Sequence, residues 1–343
     1  MTGAQSGHVS NSPVEPRNSF RIRRNTAEPH RSRYAARQIA SHLWRRPLRL
    51  SIHRLELGAI VDDMRVFVAG ATGAVGFEFV RLAKAGGCFI QTLSLSPENA
   101  RKLAGLADQV EVQDVGTGIP SLEGIDAVVS SLGAPVTFGS PEKRPYREVD
   151  LRGNKRILDA AKAAGVRRFL YVAAHVEPGY QDTAYIRAHE EFVSALRLSG
   201  LNYSVIRPTG IFAAFSDFVS LARKGLTTVI GDGRARTNPV HQADVAGRLL
   251  EHLDFGPDEL SVGGPETFTR LEIAELAFAV LGKRPRVFRI PALAFRLGAK
   301  VVGLKNPRLG ELLEFVAAVS VTDCVAPSIG QLRLEDYLRR VAG

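Results

Sequence analysis

Residues 64–76 read MRVFVAGATGAVG, and this stretch decides the fold. Its first part, RVFVA, predicts a short buried strand at 65–69, and a helical pattern follows from Phe77. Between them, the first glycine permits a tight turn, the second lets the backbone approach a pyrophosphate, and the third lets the helix pack closely on the sheet. The motif therefore predicts a dinucleotide site with the candidate residues Gly70, Thr72, Gly73, Ala74, Val75 and Gly76.

The end of the second predicted strand reads Ser94-Leu95-Ser96. In dinucleotide-binding folds, the residue that contacts the adenosine ribose lies about twenty positions beyond the glycine motif. No Asp or Glu stands here to accept a hydrogen bond from a ribose 2′-hydroxyl, and no Arg stands here to bind a 2′-phosphate. Ser94 and Ser96 are the candidate contacts, and the missing carboxylate favours NADP while leaving NAD open.

From residue 64 onward, short apolar runs alternate with helical patterns. Strands are predicted at 65–69, 89–95, 110–112, 127–131, 168–173 and 203–207, and helices at 77–84, 97–106, 154–164 and 183–198. This alternation predicts an α/β fold, a doubly wound parallel sheet with helices on both faces, over residues 64–210. Helices dominate residues 211–343, which we expect to form a small lobe with segments returning to the core.

The basic charge is concentrated before the motif. The chain has 343 residues and a formal charge of +10 (45 Lys+Arg, 35 Asp+Glu), of which residues 1–63, with 11 Arg, no Lys and 5 acids, supply +6. That composition predicts a disordered extension, and its role is open between an amphipathic helix, a transit-like presequence, a nucleic-acid arm and no role in the folded unit. The remaining net charge of +4 on residues 64–343 does not indicate nucleic-acid binding.

Cysteine and hydropathy patterns exclude further classes. The two cysteines, Cys88 and Cys324, cannot build a disulfide framework and lack CxxC spacing, which fits a reducing, cytoplasmic compartment. The histidines after residue 64 show no metal-ligand spacing. No uncharged apolar run approaches the roughly twenty residues that a transmembrane helix needs.

Five sequence blocks resemble the atypical short-chain dehydrogenase/reductases, most closely the NmrA-like and divinyl-chlorophyllide-reductase-like members. They are MRVFVAGATGAVG, VDLRGNKRILDAAKAAGVRRFLYV, YIRAHEEFVSALRLSGLNYSVIRP, NPVHQADVA and VGGPE, in that order. The resemblance covers nearly all of residues 64–343. It implies a Rossmann domain with a C-terminal substrate lobe, bound NADP(H) or NAD(H), and, in active members, a Ser-Tyr-Lys proton-transfer set.

That proton-transfer set is incomplete here. Tyr185 matches the family tyrosine, but His189 occupies the position of the lysine that lowers the tyrosine pKa, and Ala173 replaces the serine. The catalytic candidates are therefore Tyr185 and His189. The histidine acts either as a weaker cation when protonated, or as a packing residue on the stripe formed with Phe192 and Leu196.

Four further positions are cofactor candidates. Ser131 and Gly133 follow the fourth strand, where the switch-point rule places the cofactor. Asp114 follows the third strand, where the resemblance implies a contact to adenine, and a turn cap is the alternative. Thr209 is expected on the nicotinamide side by the same resemblance.

Three functions remain open at this stage. The first is NADP(H)-dependent reduction of a small, mostly apolar carbonyl or conjugated alkene. The second is an NmrA-like dinucleotide sensor without turnover, favoured by the missing Ser and Lys, and the third is an assembly factor for a membrane complex. Residues 291–321, apolar with interspersed cations, predict either a cap over the substrate pocket or a peripheral contact with a membrane or a protein.

Overall fold

The computed structural model describes residues 63–138, Ser140 and residues 142–343. The expectations for the basic extension fall on residues 1–62, outside the described part, apart from Asp63 at its end.

A seven-stranded parallel sheet forms the centre of the fold, in the order β3-β2-β1-β4-β5-β6-β9. Its strands are β1 (Arg65–Ala69), β2 (Phe89–Ser94), β3 (Gln109–Val112), β4 (Ala127–Ser130), β5 (Arg168–Val172), β6 (Asn202–Pro208) and β9 (Glu259–Val262). The order reverses between β1 and β4, so the crevice for a dinucleotide lies at their carboxyl ends. The predicted doubly wound α/β class is confirmed.

Helices cover both faces of this sheet. They are α1 (Ala74–Ala85), α2 (Pro97–Arg101), α3 (Asn154–Ala163), α4 (Ala184–Arg197) and α6 (Gln242–Glu251). Side chains alternate along β1, with Val66 and Val68 packing in one core layer and Phe67 in the other. Both faces of β1 are therefore buried, which is why residues 66–69 are all apolar, whereas Arg65 at its start is exposed.

The remaining elements build the C-terminal lobe. These are α5 (Ser216–Arg223), β7 (Thr227–Ile230), β8 (Arg236–Thr237), β10 (Phe268–Thr269), α7 (Arg270–Ala279), β11 (Val287–Ile290), α8 (Ala292–Lys305), α9 (Pro307–Ser320) and α10 (Leu334–Ala342). A separate core joins α5, α7 and α10 through Val219, Phe278 and Leu338. In the sequence, α6 and β9 lie among these lobe elements, but in the fold they belong to the central sheet and its helices.

Two local features differ from the sequence expectations. Helix α2 ends at Arg101 rather than near residue 106, and irregular turns follow it. Residues Arg147–Gly153, predicted as neither helix nor strand, form a π-helical turn that leads directly into α3. A π-helical segment is uncommon and often marks a functional site; this one presents Asp150 to the interior.

Candidate functional site

The glycine turn after β1 has the geometry that its spacing predicts. Gly70 has a φ of +77°, and a Cβ atom there would lie 2.7 Å from the backbone of Ser131. A Cβ atom on Gly76 would lie 2.2 Å from the Gly70 carbonyl oxygen. Only glycine fits both positions, because each packs backbone directly against backbone.

The start of α1 is open toward the crevice. Gly73 is its N-cap residue, no described side chain caps the helix, and no acid lies in its first turn. The first N–H groups of a helix have no partners within it and attract anions. Ser131 supports the turn from β4, since its hydroxyl donates to the carbonyl oxygens of Ala69 and Gly70, each at 3.3 Å. These residues fit the pyrophosphate of a dinucleotide.

The two serines after β2 are engaged in their own loop. Ser94 is buried and its hydroxyl donates to the Ser96 carbonyl oxygen at 3.0 Å. Ser96 is the N-cap of α2, and its Oγ accepts from the Asn99 N–H at 3.3 Å. No carboxylate lies at this strand end, as the sequence indicates, and a ribose contact by either serine stays a prediction.

Asp114 already has partners in the structure. Its carboxylate accepts from Arg144 Nη1 at 2.9 Å and from the Gly116 N–H at 2.6 Å. The turn-capping alternative is therefore the arrangement observed, with the guanidinium as a second partner. A contact to adenine remains a prediction, and it would have to share this carboxylate with Arg144.

A cavity of about 420 Å³ lies beyond the carboxyl ends of β4, β5 and β6. Gly133, Ala173 and Thr209 line it from the sheet side, and large apolar side chains line it from the lobe side: Phe215, Phe218, Phe295, Phe315 and Val319. The volume is in the range of small-molecule sites. Thr209 also joins the two parts of the fold, because its hydroxyl donates to the Asn238 carbonyl oxygen at 2.6 Å.

Tyr185 lies on this cavity within an aromatic cluster. Its ring centroid is 4.9 Å from that of Tyr146 and 4.6 Å from those of His189 and Phe315. Burial raises the pKa of its hydroxyl well above the usual value, and the nearby Asp150 adds to the shift. The phenol therefore stays protonated, and the lowered tyrosine pKa that the resemblance implies is not found.

His189 faces the cavity but is not a cation. Its side chain is 5% exposed, and burial lowers its pKa to about 3, with the charge of Arg207 contributing. A ring with this pKa is neutral at cellular pH, which favours the packing alternative for His189 over its role as a weaker cation. The Nδ1 atom lies 2.5 Å from the Tyr171 hydroxyl, which anchors the ring to β5.

Asp150, which the sequence analysis did not single out, completes the polar edge of the cavity. It is fully buried in the π-helical turn, and burial raises its pKa to about 8. Its Oδ2 accepts from the Ala134 N–H at 3.1 Å. A Cβ atom on Gly133 would lie 2.8 Å from Oδ1, so this glycine lets the loop after β4 approach the carboxyl group.

The Oδ1 atom of Asp150 lies 3.4 Å from Nε2 of His189. Neither atom has a hydrogen-bond partner among the described residues. Because burial disfavours the ionised form of each group, both groups are neutral near pH 7: the carboxyl group of Asp150 keeps its acid proton, and the His189 imidazole carries a single N–H. The signal in the sequence was an acid inside the apolar pattern of the VDLRG block.

The position of the family serine offers no hydroxyl. Ala173 is buried at the end of β5 and lines the cavity. Close by, His175 lies 3.3 Å from the Ser261 hydroxyl through Nδ1 and 3.1 Å from Glu177 through Nε2. No cluster of metal-ligating side chains occurs among the described residues.

The fold and the glycine turn together define a dinucleotide-binding α/β protein. The chain belongs to the NAD(P)H-binding family, whose model matches residues 70–254, more than half of its length. The predicted nicotinamide dinucleotide cofactor is thereby confirmed, as is membership in an oxidoreductase-type family.

Comparison with known proteins agrees with the resemblance drawn from the sequence blocks. The chain is 26% identical to divinyl chlorophyllide a 8-vinyl-reductase of Arabidopsis thaliana, over 81% of this chain and 77% of that protein. It is 28% identical to the photosystem II assembly factor Ycf39 of Cyanophora paradoxa, over 43% of this chain and 46% of that protein.

Among solved structures, an NADPH-dependent quinone oxidoreductase from Escherichia coli, complexed with NADPH, shares the fold. The TM-score is 0.62 at 17% identity, over 81% of this chain and all of that one. At this identity the likeness supports the architecture alone.

Proposed function

We propose that this chain is an NADPH-dependent reductase of a small, largely apolar molecule that carries a conjugated double bond. One observation carries the proposal: a mostly apolar cavity at the carboxyl edge of the sheet contains a buried, neutral acid, Asp150, paired with His189. Reduction of a double bond needs a hydride and a proton, and this acid is a proton source at the cavity wall.

The residues have separable roles in this reaction. The glycine turn at Gly70, Gly73 and Gly76 would hold a reduced nicotinamide dinucleotide, which would supply the hydride for one carbon of the double bond and would itself be oxidised. The other carbon takes the proton from the neutral Asp150–His189 pair, which solvent must then reprotonate. Tyr171 orients the His189 ring, and Tyr185 lines the cavity, where its ring would pack against the substrate.

An alkene is favoured over a ketone because of Ala173. A ketone or aldehyde builds negative charge on oxygen, which a strand-end hydroxyl would stabilise. Ala173 supplies none. The similarity to a protein named as a vinyl-reductase agrees with this preference, and the missing carboxylate after β2 supports NADPH over NADH.

Ala173 and the neutral His189 also favour a second function, a dinucleotide sensor without turnover. An assay of anaerobic NADPH oxidation with a panel of apolar enones and vinyl-substituted aromatics distinguishes the reductase from the sensor. Steady oxidation with a product two hydrogens heavier supports the reductase. Tight NADPH binding with no turnover of any panel member would favour the sensor.

A further inference from the structure

Helix α8 has an apolar face that no described residue covers. Leu293, Leu297, Val301 and Leu304 are 70%, 56%, 66% and 85% exposed, respectively. At 100° per residue these four side chains fall within about 80° of one another on the helix. We name them the α8 stripe. Four large apolar side chains on one exposed face are unusual for a surface helix and mark an interaction site.

The opposite side of α8 is packed against the protein, so the stripe has a fixed direction. Ala299 is buried, and Phe295 lines the substrate cavity. A Cβ atom on Gly310 of α9 would lie 2.5 Å from Cα of Gly303, so the two helices pack closely there. Core packing therefore accounts for one side of α8 and leaves the stripe outside it.

The charged residues of the segment that carries the stripe are all of one sign. Between residues 283 and 310 there are eight basic residues and no acid: Lys283, Arg284, Arg286, Arg289, Arg296, Lys300, Lys305 and Arg308. All but Arg308 are exposed, and none of those seven forms an ion pair among the described residues. Arg296 and Lys300 border the stripe on one side, and Lys305 borders it on the other. Arg296 and Lys300 also line a cleft that contains Glu311 and Glu314 of α9.

This combination identifies the occupant by its chemistry. Residues 1–63 are themselves basic, so the cations around the stripe would repel them. A second copy of the chain would bring the same cations together, so repulsion disfavours it as well. An apolar stripe between basic flanks is the pattern of helices that lie in a membrane interface. We propose that the α8 stripe binds the surface of an anionic lipid bilayer.

Binding in this way differs from spanning a membrane. No helix in the described part of the chain has the length and apolarity to cross a bilayer. The stripe would lie parallel to the surface, with its leucines below the headgroups and its lysines among them. Since α8 also lines the cavity through Phe295, an apolar substrate dissolved in the lipid would be close to the site.

The test uses the full chain with an environment-sensitive dye at Val301→Cys. Native Cys88 and Cys324 are buried, so labelling is specific to the new thiol. With phosphatidylcholine vesicles that contain phosphatidylglycerol we expect a blue shift, and a weak or absent one with phosphatidylcholine alone. Leu198→Cys, on a residue 86% exposed at the end of α4, is the control and should not shift.

A charge variant tests the flanks. Each cation near an anionic surface contributes about fivefold in affinity, so Lys300→Gln/Lys305→Gln should weaken vesicle binding about 25-fold. Lys155→Gln/Lys162→Gln, on exposed positions of α3, is the matched control. No shift at position 301 with anionic vesicles would overturn the proposal. A blue shift in the absence of vesicles would also overturn it, if ultracentrifugation showed that the chain dimerises through the stripe. That result would assign the face to a second copy of the chain.

Discussion

Nε2 of His189 lies 3.4 Å from Oδ1 of Asp150, and their side chains are 5% and 0% exposed. A histidine beside an acid usually forms an ion pair, but here burial opposes both charges. Burial raises the pKa of Asp150 to about 8 and lowers that of His189 to about 3. The cavity therefore contains a neutral acid where the family resemblance implies a cation.

Replacing Asp150 by Asn should stabilise the protein at neutral pH. The folded-state pKa of about 8 lies above the unfolded value near 3.9, so wild-type stability falls as the pH rises from about 4 to 8. The variant lacks this loss, and at pH 7 we expect it to be more stable by on the order of 4 kcal/mol.

Urea unfolding of both proteins at pH 5, 7 and 8 measures this difference in the free energy of unfolding. Each unit of pKa shift corresponds to about 1.4 kcal/mol. The lowered pKa of His189 costs stability below about pH 6.5 in both proteins and therefore cancels to first order. An Asn variant less stable than wild type at every pH would show that Asp150 is ionised and paired.

Tyr185→Phe should reduce turnover less than tenfold. The loss of a proton donor would reduce turnover about 10²-fold. Burial keeps the Tyr185 pKa high, and the neutral His189 beside it cannot lower it. The phenylalanine retains the ring contacts with Tyr146 and Phe315. Steady-state kcat on one substrate measures the effect, and a loss as large as that of Asp150→Asn would return the donor role to Tyr185.

Ser96→Asp should weaken NADPH binding about tenfold relative to Ser96→Asn, because its carboxylate would repel a 2′-phosphate. Both replacements can retain the N-cap of α2, which Ser96 provides through Asn99, so folding is matched. Calorimetric titration with NADPH and NADH gives the comparison. Equal NADPH affinities in the two variants would place the ribose elsewhere.

A chain that begins at Met64 should fold and bind NADPH. The described sheet starts at Arg65, and the described core clusters are formed by residues from Met64 onward. Thermal melting with and without NADPH is the measurement. Loss of folding, or of the rise in melting temperature with nucleotide, would assign the first 63 residues a structural role.

The sheet could be predicted because its signals are local. β1, the glycine turn and the start of α1 lie within residues 64–76, whose apolar run and glycines have few alternatives in an α/β fold. Helix α2 was predicted too long, because residues 102–106 include helix-forming Lys, Leu and Ala but adopt turns after Arg101. Such ends depend on tertiary packing that a local pattern does not contain.

The proposed proton source could not be predicted, because its position also depends on tertiary packing. Asp150 is 39 residues from His189 in the sequence, and a π-helical turn brings their side chains together. The family resemblance identified Tyr185 and His189 as candidates, but the neutral state of the histidine follows from burial between β5 and the cavity. Burial, rather than residue type, decides which of these groups carries the proton.

The pH dependence of kcat for NADPH oxidation, measured for wild type and Asp150→Asn on one substrate, tests the central claim most directly. The neutral acid is required, so wild-type kcat should be constant below about pH 8 and fall tenfold per unit above it. Asp150→Asn should bind NADPH normally but turn over about 10²-fold more slowly, without that fall. Wild-type turnover in the Asn variant, or a wild-type kcat that does not change between about pH 6 and pH 10, would contradict the account.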